Sequence, residues 1–238
     1  MLSKNFLFLR LDMDIQLHYI EQGSGQPLVL LHGNGESCDY FEHQIACFSK
    51  RFRVIAIDTR GHGLSPRGEK PFTIKQFAED LHDFMDEKGL EKAILLGFSD
   101  GGNIAMEFVL RYPERVEKMI LNGANLYPSG VKPLYQWPIV LGYHIAKLFS
   151  KKSKEALHNT ELLCLMVNEP HIHPSELSKL TMPVLVIAGT KDMIKESHTK
   201  LIHKSLPNAQ LALIKGDHFI ANKAPEAFNA AVAEFIFS

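Results

Sequence analysis

Six short apolar runs, at positions 27–31, 52–57, 92–96, 118–121, 183–187 and 210–214, punctuate the chain. Their hydrophobicity is nearly continuous rather than alternating, the pattern of strands buried on both faces of a central parallel sheet. Each run gives way to Gly, Asp or Asn, as a loop leaving a strand's C-terminal edge would. Between the runs the period lengthens. Across 72–88, Ile74, Phe77, Ala78, Leu81, Phe84 and Met85 recur at intervals of one, three and four with charges between them, which predicts an amphipathic helix stopped by Gly89. A second helix is expected from about Gly101 to Tyr112, ended by Pro113, and a third from Pro225 to Phe237 with proline in its first turn. Strands alternating with helices predict a doubly wound, mostly parallel α/β sheet. Two further candidates, 6–11 and 17–20, joined by Asp12-Met13-Asp14, predict an antiparallel hairpin at the sheet edge and bring the expected total to about eight strands.

The alternation fails over 125–179. Pro128, Pro133 and Pro138 lead into an apolar helix-like stretch, 137–149. Lysines 147, 151, 152 and 154 follow, and then a second helical segment, 155–167. A structureless loop of that length is improbable in a compact domain, so 125–179 is expected to be a helical cap inserted in a core formed by 1–124 and 180–238. No internal repeat or low-complexity tract interrupts this plan.

Charge narrows the function. Lys+Arg 26 against Asp+Glu 27 leaves a net of −1, with no basic excess to neutralise phosphates, so nucleic acid is not expected as a partner. The three cysteines, Cys38, Cys47 and Cys164, are odd in number and far apart, which argues against a disulfide framework and for a reducing compartment. The apolar run 6–9 is shorter than a signal-peptide core, and no stretch approaches the roughly 20 apolar residues of a membrane span. A cytoplasmic location is the expectation.

The strongest chemical signal is Gly97-Phe98-Ser99-Asp100-Gly101-Gly102, a G-x-S-x-G pattern directly after a buried strand and directly before a helix. A serine on so sharp a turn adopts strained dihedrals, and glycine two residues to either side leaves the room that turn needs. Its hydroxyl is then exposed at the sheet's C-terminal edge, near the positive end of the following helix. Serine needs a base, and the base an orienting acid. Asp192 and His218 each follow a predicted strand, where ligands bind in open α/β sheets. The order Ser99, Asp192, His218 is that of serine hydrolases built on such a sheet.

These residues, with Leu31-His32-Gly33-Asn34-Gly35, Asp58-Thr59-Arg60-Gly61-His62-Gly63-Leu64-Ser65 and Gly216-Asp217-His218-Phe219, give the chain a resemblance to the α/β-hydrolase-fold superfamily along essentially its whole length. The Gly-x-Ser-Asp-Gly-Gly turn resembles that of small ester-cleaving members, valacyclovir-hydrolase-like enzymes among them. The resemblance implies Ser99 as nucleophile, His218 as general base and acid, Asp192 as orienting carboxylate, and an oxyanion hole from the backbone N–H groups of Asn34 and Asp100. It also implies cleavage of a carboxylic ester or similar acyl bond of a small molecule through an acyl-enzyme, with no cofactor and no metal. Carbon–carbon hydrolases, lactonases and cofactor-free haloperoxidases share these motifs, and a non-catalytic ligand-binding or signalling role stands as the reading from another class.

Several residues carry a plainer reading beside a chemical one. His32 and His62 are expected to pack their loops. His171 and His173 form an H-x-H pair without the further ligands of a metal site. Asp217 adjoins His218 too closely to reach its far nitrogen, and Asp58 is expected to pair with Arg60 or its turn. Glu36 and Asp100 could favour a cationic substrate group, although Asp100 also suits a helix start. Glu36, Phe98 and Trp137 are the candidate substrate-binding residues. The cap aromatics Tyr127, Tyr135, Trp137, Tyr143 and Phe149 would line an acyl pocket or pack on the core. The lysines at 147–154 read as a solvated face, or as a dock for an acidic partner or membrane surface.

Overall fold

In the computed structural model, residues 14–238 are described. In chain order they form β1 (Tyr19–Gln22), β2 (Pro27–Leu31), α1 (Glu42–Phe48), β3 (Arg53–Ile57), α2 (Ile74–Glu87), β4 (Ala93–Phe98), α3 (Asp100–Arg111) and β5 (Val116–Asn122). There follow α4 (Pro133–Phe149), α5 (Lys154–Asn168), the short α6 (Pro174–Leu177), β6 (Val184–Gly189), α7 (Glu196–Ser205), β7 (Ala209–Ile214), the short α8 (Ile220–Lys223) and α9 (Pro225–Phe237).

The strands make one sheet in the order β1-β3-β2-β4-β5-β6-β7, parallel throughout except for β1, which runs antiparallel to β3 at the edge. The described residues thus supply seven strands. The eighth candidate, 6–11, lies outside them, and the edge strand falls at Tyr19–Gln22 rather than 17–20.

The period-two rule divides each strand between two cores. Val29, Leu31, Ile55 and Ile57 point to one face, where α2, α3 and α7 pack; Leu28, Leu30, Val54 and Ala56 point to the other, against α1 and α9. Helix α2 shows how the local sequence sets an element's limits. Thr73 Oγ1 accepts the Gln76 amide at 3.1 Å and opens the helix. The apolar stripe from Ile74 to Met85 is buried, each large side chain contributing roughly 1.5–3 kcal/mol. The helix closes where Gly89 turns left-handed and the Leu90 amide reaches back to the Met85 carbonyl at 2.8 Å.

Between β5 and β6 lie α4, α5 and α6. Helix α5 faces the sheet domain: Glu161 takes a two-pronged ion pair from Arg67, and the Leu162 carbonyl accepts the Asn34 side-chain amide at 3.1 Å. Helix α4 packs on α5 as the outer layer and has no fully buried residue. Its base is tied to the loop after β6 by the bridge between Val131 and Ile194 and by the Lys132 amide on the Met193 carbonyl at 2.8 Å.

Candidate active site

Ser99 stands between the last residue of β4 and the first of α3, with φ 52° and ψ −118°. It is the one described non-glycine residue at positive φ, a conformation that costs on the order of 1–3 kcal/mol and persists only where surroundings enforce it. Two bonds do so here. The Ser99 amide donates to the Asn122 carbonyl of β5 at 2.8 Å, and its carbonyl accepts the Gly102 amide at 2.9 Å. The turn fits because α3 approaches β2 closely: a Cβ on Gly101 would lie 1.9 Å from the Leu31 carbonyl oxygen.

His218 Nε2 lies 3.0 Å from Ser99 Oγ, and its Nδ1 lies 2.7 Å from Asp192 Oδ1. Three side chains from the ends of β4, β6 and β7 therefore meet in one hydrogen-bonded row. Asp192 is buried, and its carboxylate also accepts the Ile194 amide at 2.9 Å. The imidazole is held from behind by Gly123, where a side chain would come within 2.7 Å of the ring. Asp217 faces elsewhere, accepting from Lys223 and the Phe219 amide.

The loop carrying Asn34 is braced by His32. The Thr59 amide donates to His32 Nε2 at 3.0 Å, so Nδ1 carries the proton that reaches the Gly33 carbonyl at 2.7 Å. Burial lowers the His32 pKa and favours that neutral ring. The Asn34 side chain has a second use: its amide donates both to Asp100 Oδ2 at 3.0 Å and to the Leu162 carbonyl of the cap.

A cavity of about 30 Å³ opens beside Ser99, lined on its polar side by Asn34, Asp100, Asn125, Gln136 and Glu169. Burial raises the pKa of Asp100 and of Glu169, partly offset by hydrogen bonds from Asn34 and Asn103 to the first and from the Ile74 amide to the second. No lysine or arginine is among the lining residues.

The candidate substrate-binding residues are dispersed. Phe98 is buried beneath the row, stacked on Tyr40 at 4.4 Å and tilted against His218 at 4.8 Å, and does not line the cavity. Glu36 lies near His218, its Oε2 buried without a hydrogen-bond partner and its pKa raised by burial to about 7. Trp137 is not brought to Ser99. It projects from the outer face of α4, 75% exposed, because the inward positions of that helix belong to Gln136, Val140 and Tyr143.

Other expectations resolve locally. Arg60 pairs with Asp14 and Asp80, not with Asp58, which instead accepts from His18 and the Cys38 and Leu64 amides. His62 is buried, its pKa lowered to about 4 by loss of solvent. His173 Nδ1 caps α6 through the Ser175 amide. The sequence reading passed over Gly123, Glu169 and the Asn103–Asn125 pair. The one usable signal was the Asn122-Gly123 step at the end of a buried run; Glu169 comes from the cap, and its place depends on how that segment folds back.

Comparison with known proteins places the chain in a family. Residues 26–144 match the family described as alpha/beta hydrolase fold. The chain is 30% identical to RutD from Caulobacter sp. (strain K31), over 89% of this chain and 90% of that protein. It is 29% identical to the human serine hydrolase BPHL, over 93% of this chain and 83% of that one. The crystal structure of the enol-lactonase from Burkholderia xenovorans LB400 superposes with a TM-score of 0.79 at 21% identity, covering 94% of this chain and 97% of that chain. The chain thus belongs to the alpha/beta hydrolase fold family and is a hydrolase.

Proposed function

We propose that this hydrolase cleaves a carboxylic ester, or a chemically similar acyl bond, of a small substrate through an acyl-enzyme on Ser99. The observation that carries the reading is the His218 ring, placed 3.0 Å from the serine oxygen on one side and 2.7 Å from the Asp192 carboxylate on the other. Ser99 Oγ attacks the carbonyl carbon as His218 Nε2 takes its proton. Asp192 holds the Nδ1–H and stabilises the imidazolium that forms. The N–H groups of Asn34 and Asp100 meet the charge on the former carbonyl oxygen; one such donor is typically worth on the order of 100-fold or more in rate. His218 then protonates the leaving alcohol and activates water to release the acid.

The cavity's lining favours one substrate class within this reading. Two half-buried carboxylates, Asp100 and Glu169, beside the nucleophile with no cation among the lining residues suit an ester that brings its own positive charge, such as an amino-acid ester. BPHL is a serine hydrolase by name, RutD is named for carbamate hydrolysis, and the Burkholderia neighbour is an enol-lactonase; carbamates and lactones therefore belong in the same substrate panel.

The test is Ser99→Ala. Turnover of p-nitrophenyl butyrate should fall by about 10⁴-fold or more, and labelling of the protein by a fluorophosphonate should vanish. Labelling that persists in the variant would overturn the assignment.

A further inference from the structure

Helix α4 is apolar on both sides. Its inner side, with Ile139, Val140, Tyr143 and Ala146, rests on α5. On its outer side Leu134, Trp137, Leu141, Ile145 and Leu148 follow at intervals of three and four, so all five fall on one narrow stripe, and all are at least half exposed, Leu134 and Leu148 by about four-fifths. A surface helix of a protein that stands alone in water puts polar residues there.

Charge says what covers the stripe. Positions 132–154 hold Lys132, Lys147, Lys151, Lys152 and Lys154 and no acidic residue, in a chain whose net charge is −1. Lys147, Lys151, Lys152 and Lys154 gather at the C-terminal end of the stripe, where Lys152 Nζ lies 4.3 Å above the Phe149 ring, whereas Lys132 turns inward and donates to the Asp192 carbonyl. The occupant must therefore offer apolar contact along the stripe and negative charge at its C-terminal end. A second copy does not: positions 132–154 carry no carboxylate, so neither orientation of two paired stripes gives the lysine cluster of one chain an acidic partner in the other's segment. The stripe is also the convex face of one helix, and of its five residues only Trp137 borders the cavity described below. A bilayer needs no groove, and its anionic headgroups lie at the depth the lysines reach.

We propose that the outer face of α4 docks this protein on anionic lipid bilayers. No described helix is long and apolar enough to cross a membrane, so the helix lies in the headgroup layer without spanning it. Docking also sets a direction for substrate. A second cavity, of about 290 Å³, opens beside Trp137 and Val140 and shares Val131 and Gln136 with the small cavity at Ser99. An acyl chain leaving the bilayer has a path toward the serine there. That path rests on the proposed function; the docking does not.

Trp137 is the chain's single tryptophan and reports its own environment. Vesicles of phosphatidylcholine with phosphatidylglycerol should shift its emission to the blue and sediment the protein, whereas phosphatidylcholine alone should do neither. Raised salt should weaken the binding. Lys151→Glu with Lys152→Glu should weaken it by on the order of 30-fold, from the contribution of each lysine near an anionic surface. Leu141→Ser with Leu148→Ser should abolish the shift while the melting temperature holds. Ser99→Ala should bind as the parent does, so failure of the chemistry and failure of the docking are separable. An unshifted emission with protein left in the supernatant would overturn the proposal. So would equal binding to uncharged vesicles, or a blue shift that grows with protein concentration without lipid while sedimentation velocity shows a dimer.

Discussion

The sheet edge that carries Ser99 and the cap that covers it obey different constraints. At the edge, β4 is buried along its whole length, α3 approaches within a carbonyl's reach of β2, and Ser99 takes a conformation no free serine would hold. In the cap, α4 has no fully buried residue and packs chiefly on α5. Close packing over-determines the first region, so the proposed chemistry sits on rigid supports. The second is anchored by its inner layer, with Leu165, Ile172 and Leu177 in the core and Arg67 on Glu161 and Asn34 on the Leu162 carbonyl beside them, while the outer surface of α4 is free to serve another purpose.

The sharpest way to break this contrast is at the row itself. Asp192→Asn keeps the shape of the side chain but removes the acceptor that holds Nδ1–H; esterase turnover should fall by about 10⁴-fold with the circular dichroism spectrum unchanged. Next comes packing. Phe108→Ala, beneath α3, should cost about 3–5 kcal/mol in urea unfolding, whereas Trp137→Ala on the cap should stay within about 0.5 kcal/mol. Equal costs would mean that α4 is covered in solution.

A smaller effect tests the attachment. Arg67→Ala removes a partly buried pair and should change stability by about 1 kcal/mol or less, while raising KM for the ester more than it lowers kcat. The reverse split would place the ion pair within the chemical step.

An effect of similar size is set by Glu36. Its folded pKa is raised to about 7 against 4.5 for the free side chain. The folded state therefore binds the proton more tightly. Stability is fully present below about pH 4.5, is lost as pH rises through 7, and is flat above. Glu36→Gln should match the parent at pH 4.5 and exceed it by about 1 kcal/mol at pH 8, after allowance for partial solvent contact. That is a rise of about 2–4 °C in Tm, read by thermal melts across pH.

The edge was legible in the sequence because its requirements are local. A buried run must end somewhere, and a G-x-S-x-G pattern at that end leaves few alternatives, so Ser99, Asp192 and His218 could be named from their places after three such runs. The helices of the core were legible for the same reason, their limits set by Thr73, Gly89 and Pro225 within a turn of where they act. The cap was legible only as a break in the pattern. An apolar helix with no polar face has no direction in sequence, so Trp137 could be read inward as easily as outward. Asp58 was legible in part: it accepts the Leu64 amide of its own turn as expected, but its partner His18 lies forty residues away, and Arg60, two residues on, is claimed by Asp14 and Asp80.

Asn34 ties the two regions together. Its backbone belongs to the loop proposed to receive the oxyanion, yet its side-chain amide is shared between Asp100 and a carbonyl of the cap helix. Swinging that helix outward would take one hydrogen bond from the very residue whose amide must be in register when the carbonyl is attacked. The seating of that helix and the order of the loop are thus coupled through one side chain, so a change at the Leu162 carbonyl would be felt at the proposed oxyanion donor 128 residues earlier in the chain.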